Sequence, residues 1–225
     1  MNNSDLLLCK GLSRRSRRDE RWLLSDIALT IQRGQRIAIV GRSGAGKSLL
    51  LRALARLDPI DRGELLWHGM PVVGHRVPEF RRHVIYLHQR PVLADGIVED
   101  SLRQPFDLKA HRGQKFDREC IVEWLELLGR DHRLLTLQQR DLSGGEAQIV
   151  ALLRAIQLEP EVLLLDEPTA ALDAEATLLV ERLLQLWMDR HRAGGSTIWV
   201  SHDAQQAARV SDHVIKMDQG RLSGD

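Results

Sequence analysis

Lys47 and Ser48 close a run, Gly41, Arg42, Ser43, Gly44, Ala45, Gly46, in which one glycine is followed by four residues and then Gly-Lys-Ser. Glycine lets a backbone curl until consecutive N–H groups point inward at an anion. A lysine at the end of such a turn reaches the β- and γ-phosphates of a nucleotide, and the serine hydroxyl binds Mg²⁺. The flanks suit that chemistry. Arg36-Ile37-Ala38-Ile39-Val40 is apolar and β-branched, as in a buried parallel strand. Leu49 opens a stretch to Leu57 of good helix formers without glycine or proline. Strand, glycine turn and helix together give a phosphate-binding loop, with the helix N-terminus adding its positive end.

Two carboxylates, Asp166 and Glu167, follow the fully apolar Val162-Leu163-Leu164-Leu165. The carboxyl end of a parallel strand is where ligands sit in open α/β sheets. There Asp166 is expected to hold Mg²⁺ through its water shell. Glu167 is expected to polarise an attacking water as general base. An acidic turn closing a strand is the plainer alternative. His202 follows the buried-strand run Ser196-Thr197-Ile198-Trp199-Val200, so it is expected on the edge that carries Lys47 and Glu167, against the γ-phosphate. Ser143, Gly144, Gly145 and Glu146 precede a helix-forming stretch. They read either as a second anion site at a helix N-terminus or as a capped helix, with Ser143 as N-cap and Glu146 at the third position.

The remaining elements frame these groups. Residues 6–12 and 27–31 read as strands, 61–63 as a turn, 64–69 and 83–87 as strands. After Gln89 proline and charge dominate, and 120–128 reads as an amphipathic helix. We therefore expect a mainly helical insertion at 89–159 between core segments 1–88 and 160–225, all within one domain. A long helix is expected from about 170 to about 191, and a closing strand and turn at 214–221. Arg14, Arg15, Arg17, Arg18 and Arg21 form a basic cluster with Asp19 and Glu20 inside it. It reads as a solvated hairpin loop or as a contact for phosphate.

The 225 residues carry a net charge of +1, with 43% hydrophobic and 28% charged residues, as in a soluble globular protein. Such a balance gives no global pull toward nucleic acid or anionic membrane. No stretch approaches the ~18 apolar residues of a membrane span, and the first five residues lack a signal-peptide pattern, so a cytoplasmic protein is expected. Cys9 and Cys120 read as reduced thiols. Apart from His202 and His88, the histidines read as surface or structural groups.

The ordered set of phosphate-binding loop, Gln89 at a strand end, Leu142-Ser143-Gly144-Gly145-Glu146, Leu165-Asp166-Glu167-Pro168, Leu172-Asp173 and His202 resembles the ATP-binding cassette of ABC transporters over nearly the whole chain. The resemblance implies an α/β fold of the P-loop NTPase (RecA-like) kind, with a mostly parallel sheet, an N-terminal antiparallel β-subdomain and a helical subdomain. It implies ATP and Mg²⁺ as ligands, with Ser48, Gln89 and Asp166 at the metal. Gln89 becomes the residue that links the metal and attacking water to a membrane partner, and His202 a switch residue at the γ-phosphate. Residues 143–146 become a signature that binds the nucleotide of a second cassette, with Asp173 beside it. The partners implied are an integral membrane permease and a second copy or paralogue in a head-to-tail dimer at the inner membrane face, with no nucleic acid. A soluble cassette acting on nucleic acid or ribosomes, or a non-hydrolysing regulatory cassette, are the alternatives. Residues 86–93, 98–106 and 154–160 look like Fet-type (YbbL-like) subunits, which implies export of iron or another metal.

Two departures from the family pattern stand out. Many cassettes carry arginine where Ile149 stands, which puts some bonding between motifs in doubt. The aromatic that usually stacks on adenine falls among Arg14 to Arg18, where there is none. Either Trp22, shifted along the chain, or an arginine plane stacks on the base, or adenine is held loosely.

Overall fold

The computed structural model describes residues 5–91, 95–191 and 194–223. Met1 to Ser4, read above for a signal pattern, and Val92 and Leu93, part of the finer resemblance, lie outside the described residues.

In chain order the elements are β1 (Asp5–Arg15), β2 (Trp22–Gln32), β3 (Arg36–Val40), α1 (Lys47–Leu54), β4 (Arg62–Trp67), β5 (Met70–Pro71), α2 (Val77–His83) and β6 (Val84–Leu87). Then follow α3 (Val98–Arg103), α4 (Arg118–Leu127), α5 (Gly144–Ile156), β7 (Val162–Asp166), α6 (Ala174–Arg190), β8 (Ser196–Val200), α7 (Ala204–Val210), β9 (His213–Asp218) and β10 (Arg221–Ser223). Between β6 and β7 the described chain is helical, with no named strand.

β2, β1, β4 and β5 make an antiparallel sheet. The second sheet has the order β10-β9-β3-β8-β7-β6 and is parallel apart from the β9–β10 hairpin. β8 thus lies between β3, which leads into the glycine turn, and β7, which ends in Asp166. Both faces of this sheet are covered, so its strands need no polar face. Along β7, Val162 and Leu164 join a core shared with α1 and the antiparallel sheet, while Leu163 and Leu165 join a core shared with α4, α5 and α6. That alternation is the period of two that a strand imposes.

Two boundaries differ from expectation for local reasons. β1 continues past residue 12 to Arg15, its register shifting twice as it does so. The basic cluster is therefore partly strand, with only 16–21 in the turn. The helix expected from Ala170 begins at Ala174, because the Asp173 side chain caps it by accepting from Ala176 N at 2.8 Å.

Candidate nucleotide site

The glycine turn is shaped by close approach. A Cβ on Gly41 would stand 2.2 Å from the Met217 carbonyl oxygen. Gly44 and Gly46 take φ of 78° and 106°, which side chains rarely adopt. Ala45 O accepts from Gly220 N at 2.9 Å, and Ser25 N donates to Gly220 O at 2.9 Å, so the β9–β10 turn fastens the loop to β2. Arg42 and Ser43 are exposed at its rim, and Leu49 packs its half-buried side chain against the core.

Lys47 is only 5% exposed, and its Nζ donates to Gly41 O at 2.8 Å and Arg42 O at 3.1 Å. Burial lowers its pKa, while the nearby Glu167 and Asp166 carboxylates work the other way. Asp166 is buried at the end of β7, with both oxygens engaged. Oδ1 accepts from Ser48 Oγ at 3.0 Å and Oδ2 from the Tyr86 hydroxyl at 2.8 Å. A hydroxyl and a carboxylate side by side are the hard oxygen donors that Mg²⁺ takes from a protein when phosphates and water supply the rest. Among the described residues no group of three or more His, Cys, Asp or Glu could hold a metal by itself. The donor set therefore fits a metal shared with a nucleotide.

Glu167 is fixed through both its backbone and its side chain. Its φ is +49°, a strained value for a non-glycine residue, and its N–H donates to Val200 O at 3.2 Å. Oε2 accepts from Gln89 Nε2 at 2.6 Å, and Oε1 pairs with His202 Nε2 at 2.5 Å. The ends of β6, β7 and β8 thus converge on one carboxylate.

The run 143–146 forms a complete capping box. Ser143 Oγ accepts from Glu146 N at 3.2 Å, and Glu146 Oε2 accepts from Ser143 N at 2.8 Å. The Ser143 hydroxyl, which donates to Glu146 Oε2 at 2.6 Å, and after it the Ser143 N–H hold the Glu146 carboxyl below its usual pKa. A Cβ on Gly145 would come within 3.1 Å of Ala171 O and Leu172 Cδ2, so α5 packs tightly on the turn before Asp173. Among the described residues, no hydrogen bond or ion pair joins 143–146 to the glycine loop. The structure brings Lys47, Ser48, Gln89, Asp166, Glu167 and His202 together, and leaves Ser143, Gly144, Gly145, Glu146 and Asp173 outside that bonded cluster.

Trp22 opens β2 opposite Arg15, and the next residues, Leu23 and Leu24, lie against Gly46. The Arg15 and Arg62 guanidinium carbons stand 4.5 and 4.9 Å from its ring centroid. Arg14, by contrast, is bound to Asp58. Two contributors escaped the sequence reading. Tyr86 lies on β6, three residues before Gln89, which follows the strand end, and that spacing was the available signal. Gln148 lies 1% exposed inside α5, next to Ile149, a core residue at 1% exposure.

A two-faced parallel sheet with a glycine turn after β3 and an acidic pair after β7 defines a P-loop nucleotide-binding protein. Within that class the chain belongs to the ABC transporter family, as its ATP-binding domain. The family model described as ABC transporter matches residues 24–170. Among curated proteins, STAR1 of Oryza sativa subsp. japonica is 38% identical over 214 residues, covering 95% of this chain and 60% of that protein. The sulfate/thiosulfate import ATP-binding protein CysA 1 of Agrobacterium fabrum is 34% identical, covering 88% of this chain and 57% of that protein. The chain thus spans less than two thirds of either relative's length. Among solved structures, the ATP-binding cassette MJ0796, in a dimeric post-hydrolysis state bound to ADP and Pi, superposes with a TM-score of 0.85. That match covers 97% of this chain and 98% of MJ0796 at 24% identity, and so speaks to the fold alone.

Proposed function

We propose that this chain is the ATP-hydrolysing subunit of a transporter, driving a separate membrane permease. Lys47, Ser48, Asp166 and Gln89 position MgATP. Glu167 is the general base, and His202 orients it and reaches toward the γ-phosphate. The observation that carries this reading is the Glu167 carboxylate, each oxygen held by a side chain from a neighbouring strand end. A base fixed in this way meets an incoming water without reorganising. Bound Mg²⁺ would neutralise charge on the β- and γ-phosphate oxygens.

The signature-bearing segment 89–159 has its donors at 143–145 away from its own glycine loop. A second cassette, a copy of this chain or a paralogue, supplies the nucleotide they meet. A groove of about 320 Å³ lined by Tyr86, His88, Pro91, Leu108, His111 and Arg154 adjoins Gln89 and receives the permease on the cytoplasmic side of the membrane. No described helix is long and apolar enough to cross a membrane, which fits a peripheral subunit. Metal export is the cargo reading that the 98–106 and 154–160 runs favour, and vesicle uptake of iron with the co-purified permease tests it.

Phosphate release from MgATP tests the core of the proposal. Glu167→Gln should lower turnover by roughly 10²–10⁴-fold and leave an ATP-bound dimer visible by gel filtration. Unchanged turnover would remove Glu167 from the role of base.

A further inference from the structure

Tyr86 is the chain's sole tyrosine. It stands on β6, paired in register with Leu164 of β7, and its ring packs on the core face that carries α1. From there its hydroxyl reaches across β7 to Asp166 Oδ2 at 2.8 Å. The other oxygen, Oδ1, meets Ser48 Oγ at 3.0 Å. A carboxylate turns about its last torsion between two nearly equivalent orientations. One fixed donor on Oδ2 removes that freedom and leaves Oδ1 facing Ser48. Asp166 is 2% exposed, so no bulk solvent offers Oδ2 a replacement partner. A phenol beside a carboxylate can only donate to it, so the hydroxyl is the donor in this bond. Phenylalanine would fill the same space against the core and lack only this bond.

We infer that Tyr86 is a positioning residue for the metal site: its hydroxyl fixes the Asp166 carboxylate so that Oδ1, beside Ser48, faces the Mg²⁺ position. The inference rests on the MgATP reading of the site given above.

The test measures ADP affinity with and without Mg²⁺, by equilibrium titration of a fluorescent ADP, so that no turnover is needed. In Tyr86→Phe the Mg²⁺-dependent gain in affinity should shrink by about ten- to a hundredfold, the loss of one charge-assisted hydrogen bond. Affinity in the absence of metal should stay within about twofold. A role in packing alone would leave both numbers unchanged, and that result, or a tighter metal response, overturns the inference. A second measurement uses wild-type protein labelled with 3-fluorotyrosine, which gives a single fluorine resonance. That resonance should move when Mg²⁺ is added to the ADP complex, and a resonance blind to Mg²⁺ overturns the assignment. Wild-type protein whose ADP affinity ignored Mg²⁺ would overturn the underlying reading and this inference together. A normal wild-type response beside an unaltered Tyr86→Phe would overturn this inference alone.

Discussion

The Gln148 side chain donates from Nε2 to the backbone carbonyl of Glu167 at 3.0 Å, and its Oε1 accepts from Ala171 N at 3.2 Å. One buried amide thus spans the turn that sets the acidic pair, and it does so from α5, the helix whose first turn carries Ser143 and the two glycines. Ile149, where many cassettes carry arginine, packs in the core, and the bonds from this helix to the acidic turn come from its neighbour Gln148. Gln148→Ala would remove two part-buried hydrogen bonds to the backbone, a cost of about 1–2 kcal/mol. For a chain of this length that lowers the melting temperature by roughly 2–8 °C. Calorimetry of the variant checks the fall. Turnover at a temperature where the variant is still folded should also fall, because the Glu167 carbonyl loses its bond from Gln148 and that backbone is left to its bonds with Val200 O and Ala170 N. A melting temperature within a degree of wild type would show that the bridge contributes nothing.

How much of this was legible in the sequence depends on distance along the chain. The glycine loop, Asp166 and Glu167 were readable because their chemistry is local: a turn that only glycine can make, and charges placed by the end of an apolar strand. Tyr86 and Gln148 were not. Each is an ordinary residue inside a strand or helix until the fold sets it beside a partner 80 or 19 residues away. The basic cluster misled for a related reason. Charge density suggested a solvated loop, but β1 runs on through Arg14 and Arg15 because each finds a partner, Arg14 in Asp58 and Arg15 in Glu20 and the Trp22 ring. The capping box at 143–146 was one of two readings that the sequence left open, and within a single chain it is the geometry observed.

Asp58 joins β1 to α1. It accepts from Arg14 Nη1 at 2.5 Å and from Arg52 Nε at 2.7 Å, and it is only 9% exposed. These bonds, the Arg52 one foremost, hold its carboxyl below the ordinary value of 3.8. Arg52 is 38% exposed, so solvent weakens its share of the pairing. Asp58→Asn should therefore cost about 1–2 kcal/mol, or roughly 2–8 °C in melting temperature. Because the folded-state pKa is depressed, the unfolded chain takes up the proton first as pH falls. The stabilisation is therefore complete above pH 3.8 and is lost below it, as pH falls through the folded-state value. Thermal melts of both proteins between neutral pH and pH 3 check this, since the gap between them should narrow below pH 3.8. A gap of unchanged size at pH 3 would mean that Asp58 acts through packing rather than charge.

Trp22 is the nearest aromatic to the loop on β2, yet its ring already carries two guanidinium groups, from Arg15 and Arg62, within 5 Å of its centroid. Stacking a base there means displacing one of them and giving up a cation–π contact of about 0.5–1 kcal/mol, since both arginines are exposed. The net gain from the ring is therefore small, and an arginine plane is as ready a platform as the indole. Trp22→Ala should weaken ATP binding by less than about tenfold, and Arg15→Ala by a comparable factor, each read by titration with a fluorescent nucleotide. The two losses should also fail to add in the double variant, since each group supports the other's position. A loss well beyond tenfold from Trp22→Ala alone, with Arg15→Ala unchanged from wild type, would make the indole the main support for adenine and the arginines bystanders.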